Sequence, residues 1–518
     1  MRPAALAGGA AAVFVASITL GPLAIVALRA EVGAGLGPAD LAAIRFTIRQ
    51  AFLSAVFSTL LAIPVARALA RRRFWGRGAL ITLMGAPFIV PVIVAVFGIL
   101  AVFGRNGIVN TAFAWLGLPP VSVYGLQGVV LAHVFFNLPL ATRLILQGWL
   151  DIPSERFRLA ASLNLSPRAM FHLLEWPMLR EVVPGVMMLI FLICTTSFAV
   201  ALTLGGGPAA TTVELAIYQA FLLEFDLGRA AMLAGVQFAL TGAAALVALV
   251  VAVPAAMGAG LDRRVERWDG LSLTSRLVDG IAVSLAAVFL IVPLVMIALS
   301  GAEGLTRLPP EVLGAAGRSL IVAVVAAALT LVLSVSIASA AQALKHRGGA
   351  ARLIEMTGYL AIAASPLVIG TGLFLLVFPI VDPARIALVV TAVVNALMAL
   401  PFALRAVMPA LAAAEARYGR TADALGLRGW ARMRWLILPR LRRPLGFAGG
   451  LTAALSMGDL GVVALFSPVD AATLPLQMYR LMGAFRMEDA AGAALLLLML
   501  SLALFWVFDR GGRVNADA

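Results

Sequence analysis

Long apolar stretches dominate the pattern of hydrophobic and polar positions along this chain. Twelve such segments alternate with polar stretches, and about 20 apolar residues are enough for a helix to cross the hydrocarbon core of a bilayer. The pattern therefore predicts an all-α integral membrane protein with about twelve transmembrane helices. The segments lie near 8–29, 46–68, 79–103, 126–148, 182–204, 229–257, 278–299, 319–344, 353–380, 385–408, 445–467 and 490–508.

The composition agrees with a membrane protein and points away from an enzyme. Hydrophobic residues make up 62% of the 518 positions and charged residues 12%, whereas a soluble chain carries about a quarter charged residues. The single cysteine and the three histidines lie far apart in the chain, so neither a disulfide framework nor a metal-ligand spacing is present. We expect no metal, no cofactor and no catalytic residues, since no nucleophile–base set is evident.

The net charge of +14 is distributed unevenly along the chain. If the N-terminus is cytoplasmic, most of the arginines fall in loops on the cytoplasmic side, for example at 71–77, 156–180 and 417–443. This is the positive-inside pattern of a multispan protein, and the basic loops lack the interleaved aromatics that stack on nucleic-acid bases. We expect a multi-pass protein of the bacterial inner membrane with both termini in the cytoplasm and no nucleic-acid partner.

The chain also repeats itself. An offset of 262 residues places like residues on one another and predicts two tandem six-helix units, at 1–260 and 278–518, joined by a cytoplasmic linker at 261–277. An even number of segments per unit gives both units the same orientation, which is a parallel repeat. The matching pairs are Pro139 and Pro401, Arg143 and Arg405, Pro177 and Pro439, Arg180 and Arg442, and Thr211 and Thr473.

A long basic loop follows the fourth segment of each unit, at 155–177 and at 417–439. Each loop predicts two short amphipathic helices around a tight turn, with Asn164 and Gly426 at the left-handed position. Helices of this kind on the inner face of a membrane suit the groove of another protein. The alternative is a loop that lies on the membrane surface without a partner.

Both loops resemble the EAA loop of ABC-transporter permeases, although the leading Glu of that motif is absent from both and its Gly from the first. The resemblance implies a type I ABC importer-like fold in which these loops are the coupling helices that dock on an ATPase. It also implies two copies of an ATP-binding subunit in the cytoplasm and a periplasmic solute-binding protein as partners. The matching positions are Arg158, Ala160, Asn164 and Pro177 in the first loop and Arg420, Ala422, Gly426 and Pro439 in the second.

ATP hydrolysis itself is expected in a separate subunit. A phosphate-binding loop needs a Gly-x-x-x-x-Gly-Lys-Ser/Thr sequence. The only lysine of the chain, Lys345, stands between Leu344 and His346 and has no such context.

Further stretches resemble the fused permeases of bacterial thiamine and thiamine pyrophosphate importers over nearly the whole chain. They include 94–100, 131–139, 205–219 and 458–466. The resemblance implies thiamine or its pyrophosphate as substrate. Ferric iron remains an alternative, because the permeases of ferric iron importers share the architecture and part of the Gly205–Gly207 stretch.

One acidic residue, Asp459, lies inside an apolar segment, where an ionised carboxylate costs about 2.5–3.5 kcal/mol. We hypothesise that it meets the cationic thiazolium on the substrate path. Asp459 capping or cross-linking helices, and interhelical hydrogen bonds by the other polar residues, are the alternatives. The other polar residues expected to line the path are His133, Asn137, Ser197 and Asn395.

The stretch 205–219 is expected on the periplasmic side, where Gly206, Thr211, Thr212 and Glu214 suit a re-entrant or gating loop that meets the binding protein. An ordinary connector is the alternative. Pro87, Pro91 and Pro366 lie within apolar segments, where they predict kinks or irregular packing.

A major-facilitator-type secondary transporter is the competing class, since it also has twelve helices in two parallel units. Its Asp-Arg-x-Gly-Arg type loop would follow the second segment. The corresponding loop, 68–77, contains no Asp, and the paired loops favour the ABC permease.

Overall fold

The structure, a computed structural model, describes residues 2–30, 35–85, 89–251, 272–345, 348–467 and 471–513. Within these ranges every regular element is helical, which confirms the all-α prediction. Pro87 and most of the linker 261–277 lie outside the described residues. The helices of the first half are α1 Arg2–Arg29, α2 Pro38–Arg71, α3 Arg77–Leu83, α4 Val92–Phe103, α5 Ile108–Trp115, α6 Leu126–Asp151, α7 Ser154–Ser162, α8 Pro167–Met170, α9 Trp176–Thr195, α10 Ala199–Leu204, α11 Val213–Leu222 and α12 Leu227–Val251.

The second half repeats this order with fewer pieces. A π-helical turn joins α8 to α9 at Phe171–Glu175, and another joins α18 to α19 at Met433–Ile437. The helices are α13 Leu273–Leu305, α14 Pro310–Ala343, α15 Gly348–Thr357, α16 Pro366–Val377, α17 Pro383–Ala424, α18 Gly429–Arg432, α19 Leu438–Met457, α20 Gly461–Phe466, α21 Leu474–Gly483 and α22 Met487–Arg513.

Ten helical stretches of the described residues are long and apolar enough to cross a membrane, and α11 and α16 are shorter apolar helices. The membrane-protein class is therefore confirmed. Four of the twelve predicted apolar segments contain a break and do not form one continuous helix. Among the described residues, the breaks comprise 84–85 with 89–91, then 196–198, 358–365 and 458–460.

Local chemistry explains where these breaks fall. Pro91 is the N-cap of α4 and Pro366 is the first residue of α16. Proline lacks an N–H and pushes the preceding residue out of the helical region, so it is favoured at the start of a helix. Within a bundle it is also tolerated inside a helix, as Pro139 is in α6. At the fourth break, Gly458 ends α19, and the carboxylate of Asp459 accepts a hydrogen bond from the Gly461 N–H at 3.2 Å, where α20 begins.

Helix bounds in the two halves correspond closely. The elements from α8 to α10 match those from α18 to α20 at an offset of 262 residues, whereas α2 matches α14 at an offset of 272. The offset changes because the first half carries extra chain, including α5, between α4 and α6. In the second half, α16 and α17 are separated by only five residues, 378–382.

The first helix of each half packs against the other half. Helix α1 contacts α14 and α16, and α13 contacts α2 and α4. Matching glycines allow the close approach: a Cβ on Gly98 would lie 2.7 Å from the Pro293 carbonyl oxygen, and one on Gly372 would lie 2.4 Å from the Pro22 carbonyl oxygen. The two halves are thus interlocked by reciprocal contacts.

Candidate functional site: paired loops and the polar clusters above them

The first loop, 155–177, contains a left-handed turn between two short helices. Asn164 has a φ of 49°, and the Leu165 N–H donates to the Ala160 carbonyl oxygen at 3.1 Å. Ser166 then caps α8 by accepting a hydrogen bond from the Ala169 N–H at 3.2 Å. The left-handed turn predicted at Asn164 is present.

The second loop, 417–439, has the same turn but a different approach to it. Gly426 has a φ of 66°, and the Leu427 N–H donates to the Ala422 carbonyl oxygen at 2.9 Å. The separate first helix expected in this loop is wrong, because α17 runs without interruption to Ala424. In the first loop Pro153 interrupts the chain after α6, whereas the residue at the corresponding position of the second is Glu415.

Ion pairs fix both loops to the helices above them. In the first loop the Glu175 side chain is fully buried, lies 2.9 Å from the Arg67 Nε and accepts from the Trp149 Nε1 at 3.4 Å. In the second loop Arg432 donates from Nε to Glu415 Oε1 at 3.0 Å and also pairs with Asp423. The hydrogen bonds to Glu415, and then those to Asp423, raise the pKa of Arg432 above its usual value.

The two loops present similar surfaces. Ala160 and Ala422 are buried underneath, while Arg158, Arg420 and the turn residues Asn164 and Gly426 are exposed, as are Pro177 and Pro439. Large apolar side chains lie beside the exposed arginines, a combination that is common at contact surfaces between proteins. The exposed apolar residues are Leu159, Leu163, Leu173 and Trp176 on the first loop and Leu425, Trp430 and Trp435 on the second.

Three of the expected path residues gather at the break between α9 and α10. His133 and Asn137 are buried on α6, and Ser197 lies in the break itself. His133 Nδ1 lies 3.2 Å from the Ser54 Oγ, and the Asn137 Nδ2 lies 3.4 Å from the Cys194 Sγ. These contacts are the interhelical hydrogen bonds that stood as the alternative for His133 and Asn137.

The other two expected path residues form a related cluster in the second half. The Asn395 Nδ2 on α17 donates to the Ser456 Oγ on α19 at 2.9 Å, and Asp459 lies in the break that follows. One carboxylate oxygen of Asp459 caps α20, while the other is buried without a hydrogen-bond partner among the described residues. Across the described residues no hydrogen bond joins this cluster to that of the first half. At an offset of 262, the corresponding pairs are His133 and Asn395, Cys194 and Ser456, and Ser197 and Asp459.

Two glutamines at the break between α9 and α10 were missed by the sequence analysis. The Gln50 Nε2 donates to the Cys194 carbonyl oxygen and the Gln237 Nε2 to the Thr195 carbonyl oxygen, both at 2.9 Å. They cover carbonyls that the last turn of α9 leaves without helical partners. A polar amide inside an apolar segment was the available signal, since such residues normally face a partner inside the bundle.

The stretch 205–219 is only partly a surface loop. Gly206 is exposed with a φ of 73°, whereas Thr211, Thr212 and Glu214 are buried. Thr212 caps α11, and the Val213 N–H donates to the Thr47 Oγ1 on α2 at 2.9 Å. In this conformation a docked protein would reach residues 206–209 but not the three buried side chains.

Comparison with known proteins gives relatives that span nearly the whole chain. The thiamine transport system permease protein ThiP of Brucella abortus is 39% identical over 99% of this chain and 96% of its own length. The protein of the same description from Escherichia coli is 42% identical over 92% of this chain and 90% of its own length. The one from Haemophilus influenzae is 34% identical over 89% of this chain and 87% of its own length.

A more distant likeness covers only part of the chain. The molybdenum transport system permease protein ModB of Azotobacter vinelandii is 29% identical over 34% of this chain and 78% of its own length. No family model matches the sequence.

Proposed function

This chain belongs to the family of thiamine transport permeases, and we propose that it is the membrane subunit of an ATP-driven, binding-protein-dependent importer of thiamine and thiamine pyrophosphate. The observation that carries the proposal is the identity of 39% over 99% of the chain. As a transport permease it contributes a path and moving parts rather than a covalent reaction. The ATPase would be two copies of a separate subunit.

The paired loops support the coupling mechanism. Each loop continues directly into one helix, α9 or α19, which ends at a break with a polar cluster. A helix of 20 residues carries a displacement at the loop over about 30 Å. Closure of two ATPase subunits would therefore move both breaks together and expose the space between the halves alternately to the two sides of the membrane.

The same proposal assigns the orientation of the chain in the membrane and the bounds of its two permease units. Loops 155–177 and 417–439 and both termini lie in the cytoplasm, and Gly206 lies on the periplasmic side of the bacterial inner membrane, where the binding protein docks. Residues 1–260 and 278–518 form the two permease units, an assignment supported by the matched helix bounds of the two halves. The substrate passes between the two polar clusters, past Ser197 and Asp459.

Transport by the reconstituted complex tests this function. The permease, its ATPase and its binding protein are placed in proteoliposomes, and uptake of labelled thiamine, thiamine pyrophosphate and ferric iron is measured in parallel. We expect thiamine uptake that requires ATP and survives an uncoupler. Uptake abolished by the uncoupler but not by ATP depletion would indicate a secondary transporter, and uptake of ferric iron alone would refute the thiamine assignment.

A further inference from the structure

Glu214 is an acid that the proposed mechanism does not use. It is the second residue of α11 and is fully buried. Neither of its carboxylate oxygens has a hydrogen-bond partner among the described residues. Its polar neighbours are the Ser365 hydroxyl, at the start of α16, and the Gln237 amide on α12. An ionised carboxylate in an apolar interior is unfavourable unless a positive group compensates it.

The face of α11 that carries Glu214 is aromatic. Tyr218 and Phe221 follow at the fourth and seventh positions after Glu214, which places all three on one side of the helix. Tyr218 packs on Phe198 with ring centroids 5.3 Å apart. Phe221 packs on Phe374 of α16 with centroids 4.4 Å apart.

This face lies where the two halves of the chain meet. Phe198 directly follows Ser197 in the break before α10, and α11 contacts both α16 and α20 of the second half. Aromatic faces together with a carboxylate form a recognition site for an organic cation, because the ring quadrupole and the negative charge both attract it.

The second half has no equivalent acid. The second residue of α21, at the position that corresponds to Glu214, is Pro475. The repeated helix order therefore does not require a buried acid at this position. Only the first half carries the unfavourable burial of a carboxylate there.

We propose that Glu214, with Tyr218 and Phe198, forms a transit site for the positively charged ring of the substrate between the two halves. This inference rests on the proposed function and specifies how its site takes a cationic heterocycle. In this structure the carboxylate of Glu214 has no hydrogen-bond partner among the described residues. The cation supplies the missing positive charge as the halves separate.

The test compares two substrates and three variants in the reconstituted complex. The substrates are thiamine and an analogue whose five-membered ring is uncharged. The variants are Glu214→Gln, Glu214→Asp and, as a matched control, Glu303→Gln, which removes an exposed carboxylate on α13. The measured quantity is Vmax/KM for uptake, and the thermal unfolding midpoint of each complex verifies that the variants fold.

We expect Glu214→Gln to lower Vmax/KM for thiamine by at least 10-fold and to change that for the uncharged analogue by less than twofold. Glu214→Asp restores part of the thiamine uptake, and Glu303→Gln changes neither substrate. Equal losses for both substrates, or no loss for thiamine, would overturn the inference and leave the proposed function intact. A wild-type complex that takes up no thiamine would instead refute the proposed substrate, and the inference with it.

Discussion

In the first half of the chain, α6 ends at Asp151 and a separate helix, α7, begins after Pro153. In the second half, α17 continues through the corresponding positions to Ala424. Beyond these approaches the two loops have the same turn, the same π-helical turn and the same exit helix. The first loop is thus hinged to its span, and the second is a rigid extension of its span. A common docking surface does not require a common mechanical support.

The halves also differ in how their first helices are fixed. Asp279 on α13 lies 2.7 Å from the Arg71 Nη2 and pairs with Arg72 as well. At the corresponding contact α1 uses Gly8, where a Cβ would lie 2.1 Å from the Ala340 Cβ. One crossing is held by charge and the other by close packing.

The largest expected effect comes from Asp279→Ala, which leaves two arginine side chains, one of them almost fully buried, without their carboxylate. Losing one partner of a buried ion pair costs about 3–5 kcal/mol. We expect a large drop in the thermal unfolding midpoint of the purified protein and faster hydrogen exchange at the α2–α13 contact. Gly8→Ala tests the second crossing instead, because the added Cβ would clash with Ala340 where α1 packs on α14. An Asp279→Ala variant as stable as the wild type would show that charge does not hold the first crossing.

Glu175→Gln should have the next largest effect, because it removes the charge that faces Arg67 from a fully buried position. Arg67 is partly exposed and keeps some solvation. We therefore expect the free energy of unfolding to fall by only about 2–3 kcal/mol. Hydrogen exchange over 155–177 should rise and ATPase stimulation should fall. Glu155→Gln, on the exposed face of the same loop, is the control, and equal exchange in both variants would contradict the role of Glu175.

Arg432→Met should weaken the second loop less, since its ion pairs are partly exposed and such pairs contribute about 1 kcal/mol or less. Exchange over 417–439 should rise modestly while α17 stays protected. If exchange rises along α17 as well, the second loop is not a rigid extension of that helix.

The smallest effect is the difference in stability expected between two substitutions in the left-handed turn, both at Gly426. Gly426→Ala forces a Cβ into a φ of 66° and should cost about 1–2 kcal/mol. Gly426→Asn should cost less than the alanine variant, because Asn164 already occupies the same position of the first loop. Unfolding midpoints of the two variants check the order, and a less stable asparagine variant would reverse it.

Hydropathy was sufficient for the helices that run through their apolar segment without a break, such as α2, α6 and α14. It failed at the breaks, because a stretch such as Thr196–Phe198 has no composition that separates it from the helices on either side. Asp459 was noticed inside an apolar segment, and helix capping, which it shows at the start of α20, was one of the two interpretations given for it. The break beside it was not predicted. The π-helical turns were also beyond prediction, since helix propensities do not distinguish them from α-helix.

Some residues of the candidate sites could be predicted from local sequence, and others could not. The turn residues Asn164 and Gly426 were predictable because a left-handed position selects its residue type locally. The partner of Glu175 was not predictable, since Arg67 lies more than a hundred residues earlier and only the packing of α2 against α9 brings them together. The burial of Glu214 depends likewise on contacts between distant helices.

The reciprocal packing of the first helices has a consequence for biosynthesis. Helix α1 leaves the ribosome long before α14, which begins at Pro310, and at about 5–20 residues per second this delay lasts tens of seconds. During that interval α1 has no permanent neighbour on the face that later meets the second half. A nascent chain that stops before α14 therefore stays unfinished in the bilayer and is a natural target for membrane quality-control proteases.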